Sequence, residues 1–113
     1  MRFLIVDDGL GTPGTTASLL MADGHVVRVE RGGFDAIGAA VNFKPDVVLI
    51  DFQSQVSSAY AVARTIRSAN PSSKIIAVVE SASIGVPSIF DLVLVKWFDY
   101  AALKQWVANH IEP

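Results

Sequence analysis

The sequence predicts an α/β domain in which a parallel sheet is covered by helices on both faces. Five short apolar runs alternate with segments whose apolar residues recur at helical spacing. The third run, Val47 to Ile50, is apolar without interruption, which is typical of a strand buried on both faces. Strict alternation of strands and helices implies parallel pairing with right-handed crossovers, and therefore a doubly wound sheet.

The first half of the chain is predicted to contain two strand–helix pairs. The run Arg2 to Val6 forms the first strand, and Thr12-Pro13 supplies an N-cap and a first helical position for the helix that follows. Gly24 ends that helix, and His25 to Glu30 has strand composition. Lys44-Pro45 ends the second helix. The predicted faces of the two helices contain Thr16, Leu19, Leu20 and Asp23, and Phe34, Ile37 and Val41.

The second half is predicted to continue with three strands and two helices. The strands are Asp46 to Asp51, Lys74 to Val79 and Asp91 to Val95. Glu80 to Phe90 is too broken by Gly and Pro for more than about a turn or two of helix, so that helix is expected to be short. Asp99 caps the last helix. The faces predicted to be buried are Ala59, Val62, Ala63, Ile66 and Ala69 in the third helix, and Leu103, Trp106, Val107 and His110 in the last.

Length and composition restrict the function. The 113 residues fit a single domain, 1–113, and 51% of them are hydrophobic while 18% are charged. There is no apolar run of about 18 residues and no signal-peptide pattern, so we expect a cytoplasmic protein without a membrane partner. The chain contains no cysteine and only two isolated histidines, which argues against thiol or zinc chemistry. A net charge of −2 without a basic run argues against direct binding of nucleic acid.

Carboxylates follow two strands that should be neighbours. The common order for five doubly wound strands is 2-1-3-4-5, with a site at the carboxyl ends of the first and third strands. Asp7-Asp8 and Asp51 end those strands, and Lys96 ends the fifth. Crowded carboxylates repel one another, and Mg²⁺ would relieve the repulsion. Asp51, set apart from the pair, could then act as a nucleophile toward phosphorus while Lys96 neutralises the transferred group.

The chain resembles the receiver domain of bacterial two-component response regulators over essentially its whole length, and four segments carry the resemblance. They are F-L-I-V-D-D, G-H-V-V from Gly24, K-P-D-V-V-L-I-D and L-V-K, in the order and register of that family. The resemblance implies a flavodoxin-like fold and signal transduction in a phosphorelay, and we expect no enzymatic turnover.

The resemblance also implies a role for each residue of the site. Asp7, Asp8 and the backbone carbonyl of Gln53 would bind Mg²⁺ together with Asp51. Asp51 would accept a phosphoryl group from a histidine kinase or phosphotransfer protein, and Lys96 would contact it. An output protein or domain would be the second partner, and a homodimer is left open.

The sequence departs from the family where phosphorylation is normally converted into a conformational change. Val79 stands where the family has Thr or Ser, and Val93 stands where it has an aromatic residue. Trp97 follows Lys96 in place of proline, which removes the usual reason to expect a cis peptide bond there. Ser81 and Ser83 lie close to the missing hydroxyl in sequence, although neither aligns naturally with it.

Two alternatives to a phosphoacceptor remain open. A pseudo-receiver would bind partners without phosphorylation, through a face containing Trp97, Phe98 and Tyr100. A dinucleotide-binding domain would use the G-x-G-x-x-G of Gly9, Gly11 and Gly14, with Glu30 on a ribose. The carboxylates before those glycines would repel a pyrophosphate, and five strands supply no second nucleotide-binding half.

Overall fold

The computed structural model describes residues 1–7, 13–31, 33–52 and 56–111. Within these ranges the chain forms five strands and four helices in strict alternation, except between the last two strands. The strands are β1 Arg2–Val6, β2 Val26–Glu30, β3 Val47–Phe52, β4 Lys74–Val79 and β5 Leu92–Val95. The helices are α1 Pro13–Ala22, α2 Gly33–Phe43, α3 Val56–Ala69 and α4 Tyr100–His110.

The five strands form one parallel sheet in the order β2-β1-β3-β4-β5, which confirms the predicted topology. β1 lies between β2 and β3, and the register pairs Val6 with Glu30 on one side and with Ile50 on the other. The carboxyl ends of β1 and β3 therefore lie side by side, at the point where the strand order reverses.

Side chains alternate between two apolar cores, one on each face of the sheet. On one face, α2 and α3 pack on residues such as Val48 and Val79. On the other face, α1 and α4 pack on residues such as Leu49 and Val78. Both faces are covered, as the uninterrupted apolar strands predict. No helix in the described part of the chain is long and apolar enough to cross a bilayer.

Local signals set the helix ends where the sequence predicts them. Gly24 follows α1 with φ at 91°, a left-handed conformation that glycine adopts at low cost after a helix. The carboxylate of Asp99 accepts a hydrogen bond from the Ala101 N–H at 3.0 Å and caps α4. Lys44, with φ at 53°, follows the end of α2.

The predicted buried faces are only partly correct: in α3, Ala59, Ala63 and Ile66 are buried, whereas Ala69 is exposed. In α2 the core side chains are Ala36, Ala39 and Ala40, whereas Val41 is 52% exposed. The small alanines let the helix approach the sheet closely, so the larger valine remains outside. His110 of α4 is exposed rather than buried, and its ring stacks on Trp106 with centroids 4.4 Å apart. The sequence marks α2 as a helix but does not identify its inner face.

The crossover between β4 and β5 contains turns and no helix over residues 80–91. The sequence predicts a shortened helix in this segment, whereas the structure contains none there. Ile84, Val86, Ile89 and Phe90 from this crossover pack on the core shared with α2 and α3. They cover the sheet only in part, and Val93 in the middle of β5 is 43% exposed.

Candidate phosphoacceptor site

Asp51 and Lys96 form an ion pair at the carboxyl edge of the sheet. The Lys96 ammonium lies 3.0 Å from Oδ2 of Asp51, with 14% of the lysine side chain and 11% of the aspartate side chain exposed. Asp51 is in β3, and Lys96 comes directly after β5, where its N–H donates to the carbonyl of Val79 at 2.7 Å. The structure therefore brings these two predicted site residues together.

Asp7 lines the same pocket as this ion pair. Asp7 is only 3% exposed, and its backbone N–H donates to the carbonyl of Glu30 at 3.0 Å. Because Val6 pairs with Ile50, Asp7 and Asp51 are the next residues along two adjacent strands. Two carboxylates thus meet at one end of the pocket, as predicted for the first and third strands.

The donor set of this pocket fits Mg²⁺. Mg²⁺ prefers oxygen ligands and is commonly bound by one or two carboxylates, with waters and phosphoryl oxygens completing its shell. Within the described ranges, no group of three His, Cys, Asp or Glu side chains could hold a metal. The other two predicted ligands, Asp8 and Gln53, lie outside the described residues.

The register of β3 and β4 shows which side chain of β4 lies beside Asp51, while Val79 is the last residue of the strand. Asp51 pairs with Val78, which lines the pocket together with it. Val79 is fully buried in the core on the opposite face of the sheet, because successive side chains of a strand point to opposite faces. The residue that faces Asp51 is therefore Val78. It is also a valine, so no hydroxyl is offered at either position.

The serines after β4 do not line the pocket. Ser81 and Ser83 are exposed, and their hydroxyl oxygens lie 2.8 Å apart, so each is engaged with the other. Val93 points away from Asp51, on the face that the crossover leaves partly uncovered. The predicted substitute hydroxyls therefore do not line the pocket, and position 93 supplies no aromatic ring.

The loop from β5 to α4 shapes one wall of the site. The Lys96–Trp97 peptide bond is cis, so the absence of proline did not lead to the trans bond that the sequence favoured. Trp97 is 78% exposed, whereas Phe98 and Tyr100 are half-buried. At least one member of the predicted partner face is therefore available at the surface.

A hydrogen bond that the sequence did not predict joins α4 to the turn after α1. The Tyr100 hydroxyl donates to Oδ2 of Asp23 at 2.7 Å, and the Lys104 ammonium lies 3.5 Å from the same oxygen. Desolvation and this hydrogen bond raise the pKa of Tyr100 to about 12. The same bond holds the pKa of Asp23 below its ordinary value. Tyr100 lines the pocket, so this link helps to fix one of its walls.

The glycines of the alternative nucleotide site give that reading no support. Gly9 and Gly11 lie outside the described residues, and Gly14 belongs to the first turn of α1. Glu30 forms an ion pair with Arg28 at 2.8 Å. The described residues form a single five-stranded sheet, which has no second nucleotide-binding half.

Comparison with known proteins identifies the fold. The chain superposes on a CheY-like response regulator receiver domain from Methylobacillus flagellatus with a TM-score of 0.83 and 26% identity, over 96% of this chain and 97% of that one. A chain from the complex of histidine kinase ThkA with response regulator TrrA matches with a TM-score of 0.82 and 25% identity, over 98% of both. The receiver domain of a Pseudomonas aeruginosa sensor histidine kinase, with magnesium in its active site cleft, matches with a TM-score of 0.80 and 23% identity, over 96% and 94%.

No protein-family model and no curated protein matches the sequence. The structural likeness shows that this chain has the fold of the CheY-like response regulator receiver domains, as the four sequence segments predict. It supports a place in phosphorelay signalling in general.

Proposed function

We propose that this chain is a receiver whose Asp51 accepts a phosphoryl group from a histidine kinase or phosphotransfer protein. The observation that carries the proposal is the Asp51–Lys96 pair at 3.0 Å, beside the buried carboxylate of Asp7. Asp51 is the proposed acceptor because it lies at the carboxyl end of its own strand, apart from the Asp7-Asp8 pair that would bind the metal, and contacts Lys96. It receives the group once and passes the signal on, without enzymatic turnover.

The transfer requires one oxygen of Asp51 to attack phosphorus. A P–O bond forms to the carboxylate while the bond from phosphorus to the donor breaks, and the donor leaves with that electron pair. Lys96 neutralises an oxygen of the transferred group and keeps it in line. Mg²⁺, when bound, supplies positive charge to the phosphoryl oxygens. Asp7 would hold it, with Asp8 and the Gln53 carbonyl as the further expected ligands.

A phosphorylation-independent interaction module is the second candidate. It is favoured by Val79 at the end of β4 and by Val78 beside Asp51, neither of which offers a hydroxyl. It is also favoured by Val93, which offers no ring that could relocate. In this version the exposed Trp97 and its neighbours Phe98 and Tyr100 bind an output partner whether or not Asp51 carries phosphate. The two candidates share the fold and differ only in the chemistry of Asp51.

Intact mass separates the two candidates. Incubation with Mg²⁺ and acetyl phosphate should add about 80 Da, the mass of HPO₃, to the native chain. Asp51→Asn should abolish the adduct, because an amide oxygen is a poor nucleophile. Asp35→Asn, at an exposed position in the first turn of α2, is the matched control and should be modified like the native chain. An unmodified native chain would leave the interaction module as the function.

A further inference from the structure

The pocket beside Asp51 extends well beyond the residues that phosphoryl transfer uses. It has a volume of about 240 Å³. Its floor is formed by Ile5, Leu49 and Val78, three side chains on the same face of adjacent strands. The floor is therefore apolar from β1 to β4, and only its end at the sheet edge carries charge.

The walls of the pocket are also largely apolar. α1 contributes one wall with Thr15, Thr16 and Leu19, and the β5–α4 loop contributes the other. Trp97 in that loop presents a large and mostly exposed ring. Apolar surface that stays in contact with water is unfavourable, and covering it contributes roughly 25 cal/mol per Å². A phosphoryl group and a hydrated Mg²⁺ need only the charged end and would leave this apolar part uncovered.

The charged end favours a cation. Asp7 and Asp51 contribute two negative charges and Lys96 one positive charge, so the described residues at this end carry a net charge of −1 when no metal is bound. This negative charge would repel a ligand with an anionic group, and it would add no attraction for a neutral ligand. A ligand with one ammonium group would be attracted.

We propose that this pocket binds a small amphipathic amine, with its ammonium group toward Asp7 and Asp51 and its apolar body on the floor between α1 and the β5–α4 loop. The volume lies below the roughly 300 Å³ at which pockets for drug-sized ligands begin. The ligand is therefore small, with on the order of ten non-hydrogen atoms.

Such binding adds regulation to the site and does not depend on phosphorylation taking place. The ammonium group and Mg²⁺ compete for the same carboxylates, so each ligand lowers the affinity for the other. An amine in the pocket would thereby reduce the capacity of Asp51 to be phosphorylated.

Three probes with a phenyl group and different head groups test the proposal by titration of the ¹H–¹⁵N amide spectrum without Mg²⁺. We expect phenethylamine to bind about tenfold more tightly than 2-phenylethanol, the effect of one charge-assisted contact. Phenylacetate should bind most weakly. Equal affinities, or tighter binding of phenylacetate, would overturn the proposal.

A blocking variant locates the binding site. Thr16→Phe places a ring on the pocket wall and should lower the affinity for phenethylamine at least tenfold. Ser18→Phe adds the same ring to an exposed position of α1 outside the pocket and should leave binding unchanged. Equal effects of the two variants would contradict the assignment. Asp7→Asn should remove the advantage of the amine over the alcohol.

Addition of Mg²⁺ distinguishes this proposal from the proposed function. Mg²⁺ should lower the affinity of the native chain for phenethylamine. Binding that is undiminished at saturating Mg²⁺ would contradict competition for the carboxylates. Failure of acetyl phosphate to modify Asp51, with amine binding intact, would refute phosphorylation alone. Phosphorylation without any amine binding would refute only the pocket proposal.

Discussion

Val78 is the residue on which the expected response of the site depends. Its side chain pairs in register with Asp51 and lines the pocket, but it has no hydrogen-bonding group. A bound group shifts a conformational equilibrium only by its differential affinity for the two states. A phosphoryl group on Asp51 therefore lacks one contact through which it could favour a second state of β4.

Val78→Thr should supply that contact. The hydroxyl would face the pocket, where water can reach it, so we expect a loss of about 1 kcal/mol of stability. In return, a beryllofluoride phosphoryl mimic should produce larger amide shifts in β4 and the 80–91 crossover than in the native chain. Val79→Thr is the matched control, because it places the same hydroxyl in the opposite core. It should cost about 1–3 kcal/mol and leave the shifts unchanged. Native-like shifts in Val78→Thr would show that the hydroxyl is not what limits the response.

Tyr100 should titrate at unusually high pH. Desolvation and its hydrogen bond to Asp23 raise its pKa to about 12. A tyrosine with a raised pKa contributes stability that is fully present below its ordinary pKa of about 10 and is lost as the pH rises through about 12. Asp23→Asn should move the transition back toward 10 in an ultraviolet titration, with Asp35→Asn as the exposed control. An unchanged transition would contradict the hydrogen bond as a cause.

At the scale of elements, the sequence predicts the strands better than the contacts between them. Uninterrupted runs such as Val47 to Ile50 identify strands because both of their faces are buried. The inner face of α2 is not predictable in this way, because alanines are buried there while Val41 stays outside. Nor does sequence alone decide which of two adjacent valines faces Asp51. That depends on the register of β3 and β4, which is a property of strand pairing.

Arg67 holds the helix-free crossover in place. From α3 its guanidinium donates to the carbonyls of Ser73 and Ile89 and pairs with Oδ2 of Asp91 at 2.8 Å. The same carboxylate oxygen accepts the Ile75 N–H at 2.8 Å. These bonds connect α3, β4 and the end of the crossover, and they replace part of what a packed helix would provide.

Loss of the Asp91 charge should weaken this connection. Partial burial would raise the pKa of Asp91, but the hydrogen bonds from Ile75 and Arg67 outweigh it and hold the pKa below its usual value. Asp91→Asn should reduce the free energy of unfolding by about 1 kcal/mol at neutral pH. Exposed Glu80→Gln is the charge-matched control and should have little effect.

The pH dependence of this pair follows from the direction of the shift. A carboxylate with a lowered pKa contributes stability above its unfolded pKa of about 3.9 and loses it as the pH falls through the folded value. Urea unfolding at several pH values should show the difference between native chain and Asp91→Asn shrinking in acid. A difference that stays constant would indicate that the charge of Asp91 is not responsible.

For the whole molecule, the structure combines the ion pair of the proposed acceptor site with none of the residues expected to convert phosphorylation into a conformational change. The receiver fold, Asp51, Lys96 and the Asp7 carboxylate are all where the sequence predicts them. Within the described residues, the end of β4 has no hydroxyl, position 93 has no aromatic ring, and no helix lies between β4 and β5. Phosphorylation should therefore act mainly at the sheet edge, and partner binding through Trp97 should depend only weakly on it.

The most direct test compares amide spectra with and without Mg²⁺ plus beryllofluoride. We expect clear shifts at Asp7, Asp51 and Lys96 that fade along α4, because Val78 and Val93 offer no hydroxyl or ring that could move in response to the added group. Asp51→Asn should show no such shifts. If the native chain showed no response, the proposal that Asp51 is a phosphoacceptor would be contradicted. Large shifts that reach Val93 and all of α4 would contradict the claim that the site transmits phosphorylation only weakly.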